Sequence, residues 1–379
     1  MSKKWKLILG FITLIAIFVR IIGIDHVSTD MSTAFIPWYN IMKARGGISA
    51  LSEQVGDYSL LYQTIIALFT YVDVNPLYLY KILPICFDFL LAVSVAYFIM
   101  HCGSSRIIEN RDRVFTLAYA HVLLLPTVVL NASFYGQCDS IYTFFLLWSI
   151  WLLYKEEYRF SFCMLGWALA FKLQSILLFP LFFYYYFANK KFSLANVLIT
   201  FITFWLSGIV AYTQRLHVTD NVNIYSNQIV MFKHMWMNVP SFWFFIGDDY
   251  EKWHMIAIAV TFLILFFVFI GAVKGKFHMG SFEDIVAVAV FIEWTCIIFL
   301  PAMHERYTYV LDLLLLTLSF LNKKYITYAA IAILSSCLTY SSFFLSYFGI
   351  VVINAWLVAV YIAAWSCYSY FLLNSIWRG

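Results

Sequence analysis

Charge is what this chain has least of. Only 12% of its 379 residues are Asp, Glu, Lys or Arg, where an ordinary soluble domain carries about 25%. Hydrophobic residues make up 63%. A water-soluble protein of this size could not cover its surface with so few charges. That excludes the soluble, disordered, fibrous and nucleic-acid-binding classes and leaves a multi-span membrane protein. The net charge of +4 is too small to imply a polyanionic partner. Other absences narrow the reading further. The seven cysteines form no CxxC pair and no His–Cys group at zinc spacing, so neither a disulfide framework nor a structural metal is expected. They read as small apolar packing residues. The start MSKKWK is followed by LILGFITLIAIFV, and Arg20, Ile21, Ile22 and Gly23 supply no cleavage site after it. This segment is expected to be an uncleaved first span with its N-terminus inside. No soluble domain, low-complexity tract or internal repeat is evident, so 1–379 reads as a single integral membrane domain.

What is there is apolar sequence in span-sized runs. Crossing about 30 Å of hydrocarbon takes roughly 20 helical residues. The runs predict an all-α polytopic bundle of about twelve transmembrane helices, at 5–24, 78–100, 114–131, 139–154, 158–172, 174–189, 193–213, 253–273, 284–300, 306–321, 325–342 and 347–372. Fifteen of the 24 basic residues fall in seven short segments: Lys3, Lys4 and Lys6; Arg106, Arg111 and Arg113; Lys155 and Arg159; Lys190 and Lys191; Lys274 and Lys276; Lys323 and Lys324; Arg378. With this set of spans all seven lie on one side, the cytoplasm, together with both termini. The apolar run 58–72 reaches only about 22 Å as a helix. Counting it as a span would put Arg106, Arg111 and Arg113 outside, so it reads as an interfacial helix of the outer face. Two outer loops are long, about 25–77 and about 214–252.

The remaining charges concentrate on the outer side. In the first loop, Asp30 lies just past the first span, where it is either a helix cap or a reactive carboxylate; Arg20 near the end of that span either snorkels or binds an anion. Asp57 precedes the interfacial helix and could cap it. The turn NASFYGQCDSIY places Gly136, Gln137 and Asp139 between two spans. FKLQ sets Lys172 and Gln174 between short apolar segments, and PAMHERYTY puts His304, Glu305, Arg306 and Tyr307 at the mouth of two spans. Lys81 and Asp88 share a helix face and read as a polar contact within or between helices. One or two carboxylates with several cations at a membrane edge suit transfer of a sugar from a lipid-phosphate carrier. The acceptor hydroxyl needs one base. The leaving phosphate needs preorganised cations, which Arg306, Lys172, His304 and Arg20 could supply. A glycosidase would instead need a carboxyl pair.

The runs TDMSTAFIPWY, GDYSLLYQ, YGQCDSIYTFF, FKLQ and MHERY, in this order, resemble the bacterial polytopic mannosyltransferase-like proteins related to the GPI mannosyltransferases, of the GT-C glycosyltransferase class. The resemblance covers most of the chain. It implies a polyprenyl-phosphate sugar donor, a glycan or glycolipid acceptor, and chemistry on the extracellular face of the cell membrane. It assigns the catalytic position to Asp30 and the phosphate-side loop to His304, Glu305, Arg306 and Tyr307. It matches Lys172 and Gln174 to a KxQ element and Gln137 and Asp139 to a GQxD turn. Members of the wider class often pair the first-loop Asp with a second acid; here Thr29 and Met31 flank Asp30, so no metal ligand pair is expected there, and a divalent cation (Mg2+ or Mn2+) is admitted without being required. The inverting mechanism would use Asp30 as general base, with the 214–252 loop, including Trp236, Asn238 and Trp243, closing over the acceptor. Trp236 and Trp243 read equally well as interfacial-belt residues. Two rivals stand beside this reading: a transporter or lipid flippase, and a polysaccharide polymerase or ligase with a lipid-diphosphate donor, for which Arg215 and Lys233 are sparse.

Overall fold

The computed structural model describes residues 1–102, 110–215, 217–274, 279–342, 345 and 351–378. Arg106 and Lys276 of the topology-marking set, and the first residues of the span expected at 347–372, lie outside these. The chain is 79% helical, and among the described residues the strands are two dipeptides. Helix occurs at every expected span. Among the described residues, however, only four helices are both long and apolar enough to cross a membrane: Lys3–Gly23, Pro76–His101, Tyr250–Gly271 and Ala355–Ser375. A fifth is added if Arg111–Leu123 and Pro126–Phe134, bent by 51°, form one broken span. The others are short, such as Asp139–Tyr154 at 16 residues and Tyr158–Phe171 at 14, or carry charge within them. Twelve spans are therefore not shown by length and composition.

The chain forms two compact units. The first comprises Met1–Met100, Arg106–Ser175 and Ser193–Met231. Here α1 (Lys3–Gly23) buries Ala16, Arg20 and Gly23 on one narrow stripe and leaves Leu7, Phe11, Leu14, Phe18, Ile21 and Ile22 exposed, the distribution of a helix facing hydrocarbon on most sides. It packs on α5 (Arg111–Leu123). In the first loop are α2 (Ile36–Ala44) and α3 (Leu60–Phe69), the latter capped by Ser59, whose Oγ accepts from the Tyr62 amide. Then comes α4 (Pro76–His101). After α5 the chain breaks at Leu124–Leu125, restarts with Pro126 at the first turn of α6 (Pro126–Val129) and widens into a π-turn at Leu130–Phe134. α7 (Asp139–Tyr154) and α8 (Tyr158–Phe171) form a tight hairpin in which Ser149 and Ser161 each donate to the other's carbonyl at 2.7 Å. Gly166 lets the next helix, Val197–Leu206, approach: a Cβ there would sit 2.6 Å from the Thr200 carbonyl oxygen.

The second unit comprises His101–Ser105, Ile176–Phe192 and Phe232–Gly379. Its centre is Phe282–Phe299, largely apolar and buried on every face from Ile285 to Phe299. A reciprocal cap starts this helix, with Ser281 Oγ accepting from the Asp284 amide and the Asp284 carboxylate from the Ser281 amide. Thr308–Leu321 and Ala355–Arg378 pack against it, and Ile326–Tyr340 packs against both of these. Trp365 donates to Thr295 Oγ1 at 3.0 Å and Tyr368 to the Ala287 carbonyl at 2.8 Å.

Candidate active site

Asp30 sits where α1 hands over to the first loop. The helix end is held by Lys81, whose Nζ donates to the carbonyls of Gly23, Ile24 and His26 at 2.8, 3.0 and 2.5 Å. A cation is well placed against unsatisfied C-terminal carbonyls. Burial, and next the Lys81 charge, hold the His26 imidazole below its ordinary pKa. The cap of the next helical turn is Ser28, not Asp30: Ser28 Oγ accepts from the Met31 amide at 3.2 Å and donates to the Tyr135 carbonyl at 3.0 Å. Asp30 already has helical dihedrals and makes no capping bond. The turn that follows it, Met31–Phe35, is a π-turn closed by the Ile36 amide on the Met31 carbonyl. A second π-turn, Leu130–Phe134, closes from the Tyr135 amide to the Leu130 carbonyl at 2.9 Å and leads into the GQCD turn. Such widened turns recur at functional sites.

Gly136 takes φ +67°, and a Cβ there would lie 2.3 Å from Met31 Cε. This turn presents Gln137 to Asp30. Gln137 Nε2 donates to Asp30 Oδ2 at 2.6 Å, and Tyr58 Oη donates to Gln137 Oε1 at 3.0 Å. Gln137 is 2% exposed and Asp30 is half-buried. Phe35, Trp38 and Tyr58 line this neighbourhood, with ring centroids 5.5–5.7 Å apart. Gly56, at φ +76°, admits the Trp38 ring, which a Cβ would meet at 2.5 Å. Asp57 does not cap α3; its carbonyl accepts from Gln228.

Two of the predicted cations have carboxylate partners inside this unit. Lys172 Nζ is 2.5 Å from Asp139 Oδ1, and Asn131 Nδ2 donates to Asp139 Oδ2 at 2.7 Å. Asp139 is fully buried and Lys172 nearly so. Arg20 does not snorkel. Its Nε and Nη2 donate to Asp88 Oδ2 at 3.0 and 2.8 Å, and its Nη1 to the Ala16 and Leu123 carbonyls at 3.1 Å each. Asp88 is thus the partner of Arg20 rather than of Lys81. Gln174 lies in the short 3-10 turn Leu173–Leu178, and its Oε1 is buried without a hydrogen-bond partner among the described residues.

The HERY residues belong to the second unit, together with the later part of the 214–252 loop. Trp236–Met237 pairs in parallel with Met303–His304, Met237 opposite His304. The Ala302 amide donates to the His234 carbonyl at 3.0 Å, and Ala302 and Asn238 adopt φ +57° and +53° to make the two bends. The His304 ring meets Phe232 and Tyr307 edge-on at 4.9 and 5.3 Å, and its Nδ1 is 4.0 Å from Glu305 Oε2. Glu305 and Tyr307 are buried and Arg306 is half-buried, its carbonyl held by the Tyr340 hydroxyl at 3.2 Å. Trp236 is half-buried against Phe244, and Asn238 is exposed. Trp243 is buried and donates to the Phe299 carbonyl at 2.7 Å, which makes it a loop anchor.

Sequence reasoning passed over Tyr58, Asn131 and two acids within helices, and it read Asp88 without its arginine partner. Asp88 lies midway along α4; Glu293, 2% exposed, midway along Phe282–Phe299; and Asp312 accepts from Ser336 at 2.8 Å. A charge inside an apolar run was the available signal. Among the described residues no group of three or more His, Cys, Asp or Glu is placed to hold a metal ion. Sequence comparison finds no matching family model and no matching curated protein.

Proposed function

We propose that this chain is a polytopic membrane glycosyltransferase of the GT-C kind. It moves a hexose from a polyprenyl-phosphate donor to a cell-surface glycan or glycolipid at the outer face of a bacterial plasma membrane. The observation that carries the reading is Asp30. It is a half-buried carboxylate between two π-turns, oriented by a buried glutamine and bordered by aromatic rings of the kind that pack on sugar faces. Asp30 takes the proton of the acceptor hydroxyl as that oxygen attacks the anomeric carbon. The new C–O bond forms as the bond to the phosphate oxygen breaks, with inversion, and the lipid phosphate leaves with the electron pair. Asp139 and Asp88 already match Lys172 and Arg20, so in this reading these two cations serve as buried counter-ions. The twelve-span topology with cytoplasmic termini belongs to the same proposal. The test is a comparison of cell-surface glycans with and without the gene: loss of one hexose supports the reading and names donor and acceptor, and unchanged glycans refute it.

The transporter reading draws on one observation, the buried Glu293 inside a helix, since intramembrane acids mark ion and proton paths. It predicts flux of an intact lipid or sugar with no covalent product.

A further inference from the structure

We propose that Gln137 and Tyr58 are positioning residues for Asp30, forming a relay of three side chains from three separate segments of the first unit; this rests on the glycosyltransferase reading above. A lone carboxylate at a half-exposed position samples several rotamers. A general base gains its effect only when one oxygen is aimed at the proton it removes. Here the 2.6 Å bond from Gln137 Nε2 pins Oδ2 of Asp30. An amide can do this only if its nitrogen faces the carboxylate. A flipped Gln137 would set carbonyl against carboxylate, like against like. The acceptor-only carboxylate therefore sets the amide's orientation, and the Tyr58 hydroxyl holds it by donating to Gln137 Oε1 at 3.0 Å. Each member is itself held. Gln137 is fixed by its own amide on the Asn131 carbonyl at 2.9 Å and by the left-handed Gly136 before it. Tyr58 is held by ring contacts with Trp38, Tyr62 and Phe35 at 5.7, 4.8 and 5.7 Å. Asp30 stands at the head of the π-turn Met31–Phe35. A glutamine serving only as turn filler would need neither the side-chain bond to Asp30 nor the tyrosine hydroxyl on its carbonyl oxygen.

The test is steady-state kinetics of the full chain in lipid nanodiscs, with polyprenyl-phosphate-linked hexose as donor. Gln137→Leu is expected to lower kcat roughly ten- to a hundredfold while the donor KM stays within about twofold of wild type. Tyr58→Phe, which removes one hydroxyl and keeps the ring, is expected to lower kcat less and in the same pattern. In an Asp30→Asn background neither change should lower the residual rate further, because both act through Asp30. Independent, multiplying losses in that background overturn the relay, as does Gln137→Leu or Tyr58→Phe at wild-type kcat. Should Gln137→Leu fail to fold, Tyr58→Phe and its double with Asp30→Asn carry the test. Wild-type protein without transfer, or Asp30→Asn at wild-type rate, removes the functional reading and the relay with it. Wild-type transfer, an impaired Asp30→Asn and unaffected Gln137 and Tyr58 variants overturn the relay alone.

Discussion

Replacing Lys172 with methionine takes away the ammonium 2.5 Å from a carboxylate that has no exposure of its own. Asp139 would keep the 2.7 Å bond from Asn131 and little else to offset its charge in the interior. Breaking one side of a buried ion pair costs about 3–5 kcal/mol, because the remaining charge stays desolvated. At roughly 2–4 °C per kcal/mol the unfolding midpoint should fall by about 10 °C. The double variant Lys172→Met with Asp139→Asn removes both charges and leaves an amide that Asn131 can still reach, so its stability should return to within about 1 kcal/mol of wild type. Thermal unfolding of purified protein in detergent measures all three. If Lys172 is a counter-ion, the double variant also retains sugar transfer. A single variant as stable as wild type, or a double variant as unstable as the single one, refutes the buried-pair reasoning. A stable double variant that no longer binds donor would instead return Lys172 to the phosphate.

Gly136→Ala should destabilise the turn before Gln137, since it combines φ +67° with a Cβ 2.3 Å from Met31 Cε; a loss of about 1–3 kcal/mol is expected in the same unfolding assay. The lowered pKa of His26 means the unfolded chain binds its proton first as pH falls. Its contribution to stability is therefore present above the ordinary histidine pKa of about 6.5 and lost as pH drops toward the folded value. Unfolding midpoints measured between pH 7.5 and 5 should decline, and His26→Gln should flatten part of that decline.

The helical class and the candidate site were legible in the sequence to different depths. Apolar runs and their spacing placed helix at every expected span. The number that cross a membrane was not legible in the same way, because helices such as Tyr158–Phe171, at 14 residues, are too short to span alone. Gly136 was readable as a turn residue because the left-handed region favours glycine. Partners were not readable. Asp88 and Arg20 are 68 positions apart, and a helical face shared with Lys81 says nothing of what faces it from another helix. Lys81 and Asp88 both turn toward α1, one to its terminal carbonyls and the other to its arginine. The π-turns beside Asp30 and Gln137 leave no sequence mark, since each differs from α-helix by one residue of register. Asp30 could be read as a cap only because Ser28, two residues earlier, was not weighed against it.

The central claim is that Asp30 is the base of a sugar transfer from a lipid phosphate. Purified wild-type protein and Asp30→Asn, reconstituted in liposomes with radiolabelled polyprenyl-phosphate hexose and an acceptor glycolipid, test it directly. The account predicts transfer by the wild type and a loss of roughly 10²–10⁴-fold in Asp30→Asn at equal expression and folding. Equal transfer by the two proteins would contradict it.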